Sequence, residues 1–163
     1  VKNAIRPFEE KAGKTAQIVV AGGIYNSEDI KKFLDLGADG VQMGTRFVAT
    51  EECDAHNDYK MAYVNADEAS IDYIVSPVGM PGQAIMTPFI EKVSLEREKI
   101  TKCYNCLSAC NPATTPYCIT SALVRAVQGD VDNGLVFIGK RGYLVDKITT
   151  VDALMDEFEA ALI

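Results

Sequence analysis

The sequence predicts an α/β fold, and two short apolar runs with a helix between them carry the prediction. Residues 18–21 are apolar and rich in β-branched side chains, as in a buried parallel strand, and they run into Gly22-Gly23. Residues 40–43 form a second such run, which ends in Gly44-Thr45. Together they read as strand, helix and parallel strand, with a glycine-containing turn at the carboxyl end of each strand.

The connecting helix has its own start and stop signals. Asn26 and Asp29 have the spacing of a capping box, and Gly37 suits the C-terminal end of the helix. The apolar face between them is formed by Ile30, Phe33, Leu34 and Leu36. These local signals support the βαβ interpretation independently of the two strands.

The two turns predict an anion-binding site. Glycine has no Cβ, so backbone N–H groups near it can approach a ligand closely, and the Thr45 hydroxyl adds a side-chain donor. In (β/α)8 barrels a phosphate site is frequently built from the loops after strands seven and eight. The candidate phosphate-binding residues are Ala21, Gly22, Gly23, Gly44 and Thr45. The alternative is that these glycines only turn the chain.

Composition restricts the class of protein. The chain has 163 residues with 48% hydrophobic content, enough for a domain with a core. Its net charge of −7, with no cluster of lysine and arginine, argues against a nucleic-acid surface. No apolar run approaches a membrane span. Five cysteines without secretory features favour a reduced, cytoplasmic protein.

The residues around the two turns resemble the FMN-phosphate region of the nitronate monooxygenase family, formerly called 2-nitropropane dioxygenase. The resemblance rests on Val20–Ile24 and Gly37–Phe47, continues through Ala49–His56 and Ser76–Gly82, and extends to the end of the chain. It implies the C-terminal portion of an FMN-binding (β/α)8 TIM barrel, seen through its last two strands, with a mainly helical extension.

Three regions are implied by the resemblance. Residues 1–66 would be the last βα units with the FMN-phosphate loops, residues 67–148 a Cys-rich extension, and residues 149–163 a C-terminal helix packing back on the barrel. Strands one to six and the catalytic histidine of the family would lie upstream. We therefore expect this chain to be part of a longer enzyme, inactive without the N-terminal part that is its partner.

The implied reaction is FMN-dependent oxidation of an alkyl nitronate by dioxygen to a carbonyl compound and nitrite. The related FMN-dependent enoyl-(acyl carrier protein) reductase is the alternative enzyme. No catalytic residue is assigned within the chain. His56 is its only histidine and lies between Asp54 and Asp58 in a polar helical stretch, so we expect a structural or solvent-facing role for it. A homodimer is a further expectation.

The remaining elements follow from periodicity and turn signals. We predict helices over 3–13, 90–102 and 117–127, strands over 71–75 and 83–86, and a buried extended segment over 135–138. Thr50 is expected to cap the helix that follows it, and Thr149 or Thr150 the last one. That last helix, 151–162, has an apolar stripe of Val151, Leu154, Met155, Phe158 and Leu162. The loop 76–82 is either close to the flavin or an ordinary hairpin turn.

Four clustered cysteines allow a function of another class. Cys103, Cys106, Cys110 and Cys118 have short spacings with which thiolates hold zinc or an iron–sulfur cluster. The first three also fall at i, i+3 and i+7, a helical stripe in which cysteine acts as a small core residue. We assign no metal, and we keep a metal-binding or assembly module without catalysis as the alternative.

Overall fold

The computed structural model describes residues 1–108 and 110–160 and divides the chain into two compact units. Unit 1 comprises Val1–Met43 and the residues from Asp152 onward, and unit 2 comprises Gly44–Val151. The elements in chain order are α1 (Lys2–Ala12), β1 (Val19–Ala21), α2 (Ser27–Asp35), β2 (Gly40–Gln42), α3 (Thr45–Val48), α4 (Asn57–Val64), β3 (Ile71–Val75), β4 (Pro81–Ile85), α5 (Pro88–Leu95), α6 (Ile119–Val127) and α7 (Val151–Glu159), with 3₁₀ turns at Glu68–Ser70 and Gly142–Leu144.

Unit 1 contains the predicted βαβ unit. Strands β1 and β2 pair in parallel, with Val20 opposite Val41. The helix between them begins at the predicted capping box, in which the Asp29 N–H donates to Asn26 Oδ1 at 3.0 Å. Helix α1 ends at Gly13, whose φ of 63° is the left-handed conformation expected at a helix stop.

Two details of unit 1 differ from expectation. The strand β1 is not buried, since Val19 is 59% exposed. Side chains project from the faces of a sheet, so they are buried only where another element packs on that face. Pro7 lies inside α1, an unusual position for proline in a helix. A proline there removes one helical hydrogen bond, but no residue of α1 is buried, so water can satisfy the carbonyl that loses its partner.

Unit 2 is built around an antiparallel hairpin, with β3 pairing β4. The predicted extended segment 135–138 lies along β4, since the Ile85 N–H donates to the Val136 carbonyl at 2.9 Å and the Ile138 N–H to the Gln83 carbonyl at 3.0 Å. The core that these elements form with α5 and α6 consists of Ile74, Ala84, Phe89, Ile90, Tyr117, Ala122 and Leu135.

The predicted helix cap at Thr50 is wrong, whereas the predicted cap of the last helix at Thr149 or Thr150 stays a prediction. Helix α4 is capped by His56, whereas Thr50 forms a parallel bridge with Thr149. The backbone N–H of Val151 donates to both carboxylate oxygens of Glu52, each at 3.0 Å. The first amide of α7 is therefore bound by a residue that is distant in the sequence.

The charged helix predicted over 90–102 is shorter than expected. Helix α5 starts at Pro88 and ends at Leu95, and the described residues of 96–117 form no helix or strand. The helical stripe proposed for the first three clustered cysteines is therefore wrong. In α7, Leu154 and Phe158 are buried as predicted, but Met155 is 44% exposed, and Leu162 lies outside the described residues.

Over the described ranges, no helix has the length and apolar character needed to cross a membrane.

Candidate cofactor-binding site

The first candidate turn lies at the carboxyl end of β1. Ala21 is the last residue of the strand and is exposed. Gly22 and Gly23 follow with φ of 84° and 71°, both in the left-handed region that favours glycine. A Cβ built on either glycine would meet no atom within 4 Å. Open space therefore adjoins the backbone at this strand end.

Three amides at the start of α2 are already bound within the chain. The Tyr25 and Asn26 N–H groups donate to Asp29 Oδ2 at 2.9 and 3.3 Å, and the Asp29 N–H donates to the Asn26 side chain. The Asp29 carboxylate also places a negative charge at the positive end of α2. We therefore expect an anion at this strand end to contact the turn 22–24 rather than these three amides.

The second candidate turn lies between β2 and α3. Gly44 is exposed, a Cβ there would also meet nothing within 4 Å, and Thr45 is the first residue of α3. The Gly139 N–H donates to Thr45 Oγ1 at 3.0 Å. A hydroxyl that accepts one hydrogen bond still has its own proton to donate, so this contact fixes Thr45 without using its donor capacity.

Gly139 is a site residue that we did not assign from the sequence. A Cβ at this position would lie 2.9 Å from Thr45 Oγ1, so glycine is required for the close approach. Gly142 packs near the same side chain, since a Cβ there would lie 3.5 Å from Thr45 Cγ2. The signals in the sequence were the glycines of residues 139–142, the two basic residues between them, and the resemblance, which implies a glycine-containing segment near the flavin at this point.

The candidate residues are distributed over both units. Ala21, Gly22 and Gly23 belong to unit 1, whereas Gly44 and Thr45 belong to unit 2, and each turn is described within its own unit. Within each turn, taken by itself, backbone amides lie beside open space, and the second turn adds one hydroxyl. Donors of these kinds are chemically compatible with a phosphate group such as that of FMN.

His56 has a structural role in unit 2. Its Nδ1 accepts a hydrogen bond from the Asp58 N–H at 3.2 Å, which caps α4. The ring also packs against Gly129, where a Cβ would lie 2.5 Å from Nδ1. Nδ1 is thus occupied by a backbone donor, which is consistent with the structural role expected for this histidine.

The loop 76–80 is the turn of the β3–β4 hairpin. The Gly79 N–H donates to the Ser76 carbonyl at 2.9 Å, and Gly79 has a φ of 82°. Met80 is 69% exposed and Ser76 is buried. The hairpin form of this loop is therefore established, and its proximity to a flavin stays a prediction.

Cys103, Cys106, Cys110 and Cys118 line one small cavity of unit 2. All four are free thiols. In the described part of the chain, no three histidine, cysteine, aspartate or glutamate side chains are already arranged to hold a metal ion. The cavity brings the four thiols around one space without setting a finished coordination geometry.

Comparison with known proteins agrees with this fold and with the predicted resemblance. The family model for nitronate monooxygenase matches residues 10–160. The putative nitronate monooxygenase of Saccharomyces cerevisiae is 38% identical over 98 residues, which cover 57% of this chain and 24% of that protein. The probable nitronate monooxygenase of Staphylococcus saprophyticus is 38% identical over 79 residues, which cover 47% of this chain and 22% of that protein.

Solved structures give the fold. FabK from Thermotoga maritima superposes with a TM-score of 0.72 at 30% identity, covering 92% of this chain and 45% of that chain. Nitroalkane oxidase from Streptomyces ansochromogenes superposes with a TM-score of 0.65 at 22% identity, covering 93% of this chain and 41% of that chain. The chain thus spans less than half of these barrels and about a quarter of the curated relatives that it matches.

These matches and the βαβ unit define the class of the protein: the chain has the fold of part of a (β/α)8 barrel oxidoreductase. Within that class it belongs to the nitronate monooxygenase family, a group of flavin-dependent oxidoreductases.

Proposed function

We propose that the protein carrying this chain is an FMN-dependent nitronate monooxygenase and that the chain binds the phosphate of the cofactor. The protein would oxidise alkyl nitronates with dioxygen to carbonyl compounds and nitrite. The observation that carries the proposal is the pair of left-handed glycines, Gly22 and Gly23, beside open space at the end of β1. This turn lies within the part of the chain that matches the family.

Each candidate residue has a separate role in this proposal. The exposed turn that follows Ala21 would present the backbone N–H groups of Gly22 and Gly23 to phosphate oxygens. At the other turn, the amide of Gly44 and the hydroxyl of Thr45 would donate, with the hydroxyl held in place by Gly139. Bound FMN supplies the electron chemistry of the reaction, and these residues bind and orient it.

The arrangement explains how an acidic chain could bind an anionic cofactor. The net charge of −7 gives no general attraction for phosphate. The Asp29 carboxylate accepts from the amides of Tyr25 and Asn26, so the α2 dipole is already offset by a carboxylate. Affinity would therefore depend on short, direct hydrogen bonds from the turns, which act over much smaller distances than net charge does.

We propose that the catalytic base is supplied outside this chain. His56 has its Nδ1 bound to the Asp58 amide, and we assign no other described side chain as a base. The catalytic function would then belong to the protein as a whole, whereas this chain contributes cofactor binding.

The test replaces Gly23 with valine in the protein that carries this chain and measures binding of FMN and of riboflavin by flavin fluorescence. The side chain would occupy the open space beside the turn, so we expect the FMN dissociation constant to rise about tenfold or more, as for loss of roughly one charge-assisted hydrogen bond. Riboflavin lacks the phosphate, and its affinity should stay unchanged.

Gly13→Val is the matched control. Gly13 also has a left-handed φ and open space within 4 Å, but it caps α1. Both variants carry a similar backbone strain of about 1–2 kcal/mol, so only the loss of FMN should separate them. An FMN dissociation constant of Gly23→Val equal to that of Gly13→Val would refute the phosphate site. Turnover of an enoyl thioester with NAD(P)H, and none of a nitronate with dioxygen, would instead refute the proposed substrate and favour the enoyl reductase.

A further inference from the structure

Four of the five cysteines surround one space, and the proposed flavin chemistry does not use them. The cavity has a volume of about 90 Å³ and is lined by Cys103, Cys106, Cys110 and Cys118. Cys103 and Cys106 are exposed, whereas Cys110 and Cys118 are partly buried. Apolar side chains, including Ile100 and Ile119, form other parts of the wall. Four thiols around a small, partly apolar space are a ligand set for a thiophilic metal.

The first two cysteines lie on a tight turn with a hydrogen bond to sulfur. The Asn105 N–H donates to Cys103 Sγ at 3.4 Å. Asn105 has a φ of 51° and is the only non-glycine residue with a positive φ in the described ranges. This left-handed residue turns the chain between Cys103 and Cys106. The two cysteines of the Cys-x2-Cys pair thus flank one tight turn, and the sulfur of Cys103 accepts from a backbone N–H of that turn.

The two ends of the segment that carries the cysteines are hydrogen-bonded to each other. Arg97 Nε donates to the Thr115 carbonyl at 2.9 Å, and another nitrogen of its guanidinium donates to the Pro112 carbonyl. The Glu98 N–H donates to the Pro116 carbonyl at 2.8 Å. These contacts hold the two ends of the segment together, so the cysteines are confined to one loop before any ligand binds.

The N-terminal end of this segment, at Glu98, also binds α6. Arg125 forms two hydrogen bonds to the Glu98 carboxylate, at 2.9 and 3.3 Å, and its guanidinium lies 4.7 Å from the centroid of the Phe89 ring. Cys118 directly precedes α6 as its N-cap residue. The fourth thiol is therefore placed by a helix, whereas the first three belong to the loop.

We propose that Cys103, Cys106, Cys110 and Cys118 form a tetrathiolate site for a thiophilic metal centre, either an iron–sulfur cluster or zinc. Three cysteines within eight residues followed by a more distant fourth is a spacing used for iron–sulfur ligation, and a Cys-x2-Cys pair is also used for zinc. Each ligand thiol loses its proton on binding, and the sulfurs converge as the metal binds, since metal binding is coupled to local folding.

The test measures zinc, iron and acid-labile sulfide in the protein that carries this chain, purified and reconstituted without oxygen. We expect about one zinc per chain, or about four iron with sulfide for a cluster. In the double variant Cys106→Ser/Cys110→Ser, bound metal should fall about tenfold or more, because two of four ligands are lost. Cys53→Ser is the matched control, because Cys53 is a partly buried free thiol that does not line the cavity.

The metal and sulfide contents together identify the metal centre. Iron with sulfide identifies an iron–sulfur cluster, and zinc without sulfide identifies a zinc site. Wild-type protein that stays metal-free after reconstitution would overturn the proposal, and this result does not depend on whether the variants fold. Full metal content in a folded double variant, or a Cys103–Cys106 disulfide in metal-free protein, would overturn it as well.

Discussion

The Gly139 amide donates a hydrogen bond of 3.0 Å to the hydroxyl of Thr45, and this contact joins the start of α3 to the glycine-rich segment 139–142. It is possible only because Gly139 has no Cβ, which would lie 2.9 Å from the same oxygen. The contact fixes a candidate phosphate ligand through a residue far away in sequence, and its energetic value can be measured.

Replacing Thr45 with valine should reduce both stability and FMN affinity. Valine has a similar shape but leaves the Gly139 N–H without its acceptor, so the free energy of unfolding should fall by about 1–3 kcal/mol in urea denaturation. The FMN dissociation constant should rise, because the hydroxyl donor is lost. Thr45→Ser keeps the hydroxyl and serves as the control. Equal stability and equal FMN affinity of the valine and serine variants would contradict the role of the hydroxyl.

Two buried tyrosines should respond differently to loss of the hydroxyl. The Tyr63 O–H donates to the Phe137 carbonyl at 2.6 Å, whereas the buried Tyr117 hydroxyl has no hydrogen-bond partner among the described residues. Tyr63→Phe should therefore lower the free energy of unfolding by about 1–2 kcal/mol, and Tyr117→Phe should change it by less than about 0.5 kcal/mol. Urea denaturation measures both, and similar losses in the two variants would contradict the assignment.

Tyr117 should also make the protein less stable in alkali. Burial raises the pKa of Tyr117 to about 12, whereas an unfolded tyrosine has a pKa of about 10. Between these values the unfolded chain loses the proton first, so the free energy of unfolding falls as the pH rises, and below about pH 10 this group has no effect. Tyr117→Phe should show a shallower fall over that range in urea denaturation. Superimposable pH profiles of the two proteins would exclude this origin.

Gly134 should tolerate no side chain. A Cβ there would lie 2.7 and 2.8 Å from the backbone N and Cα of Ala126 in α6, which cannot move independently of the helix. The Thr87 hydroxyl donates to the Gly134 carbonyl at 2.9 Å and holds the glycine in place. Gly134→Ala should lower the free energy of unfolding by about 1–3 kcal/mol by overpacking.

Gly40→Ala is the control for this substitution. A Cβ at Gly40 would make an ordinary contact of 3.9 Å with Val19 Cγ2, so its effect on thermal or urea unfolding should be small. A Gly134→Ala protein as stable as Gly40→Ala would show that α6 can shift away from the new methyl group.

Local chemistry explains the parts of the fold that the sequence predicts well. The capping box of Asn26 and Asp29 and the helix stop at Gly13 are formed by residues within a few positions of each other, so their patterns are sufficient. The predicted end of α5 was wrong. Arg97 donates to a distant carbonyl and Glu98 binds Arg125, and these contacts compete with continuation of the helix. No local pattern contains those partners.

In the candidate site, too, local patterns could be predicted and contacts between residues distant in sequence could not. Gly22 and Gly23 could be predicted, because a glycine pair after an apolar run is a local signal, and their left-handed φ values agree with it. Gly139 could not be assigned, because its partner Thr45 lies 94 positions earlier. The carboxylate of Glu52 that binds the Val151 amide was missed for the same reason, since 99 positions separate the two residues.

The bridge between Thr50 and Thr149 has an evolutionary consequence. The Glu51 N–H donates to the Thr149 carbonyl at 2.8 Å, and the Thr149 N–H donates to the Ala49 carbonyl at 3.1 Å. The two ends of the stretch 50–149 thus lie next to each other. A stretch with neighbouring ends can be lengthened, exchanged or replaced as a cassette during evolution with little disturbance of the polypeptide on either side. Because its two ends are adjacent, this stretch is also suited to circular permutation, in which those ends are joined and the chain is opened elsewhere.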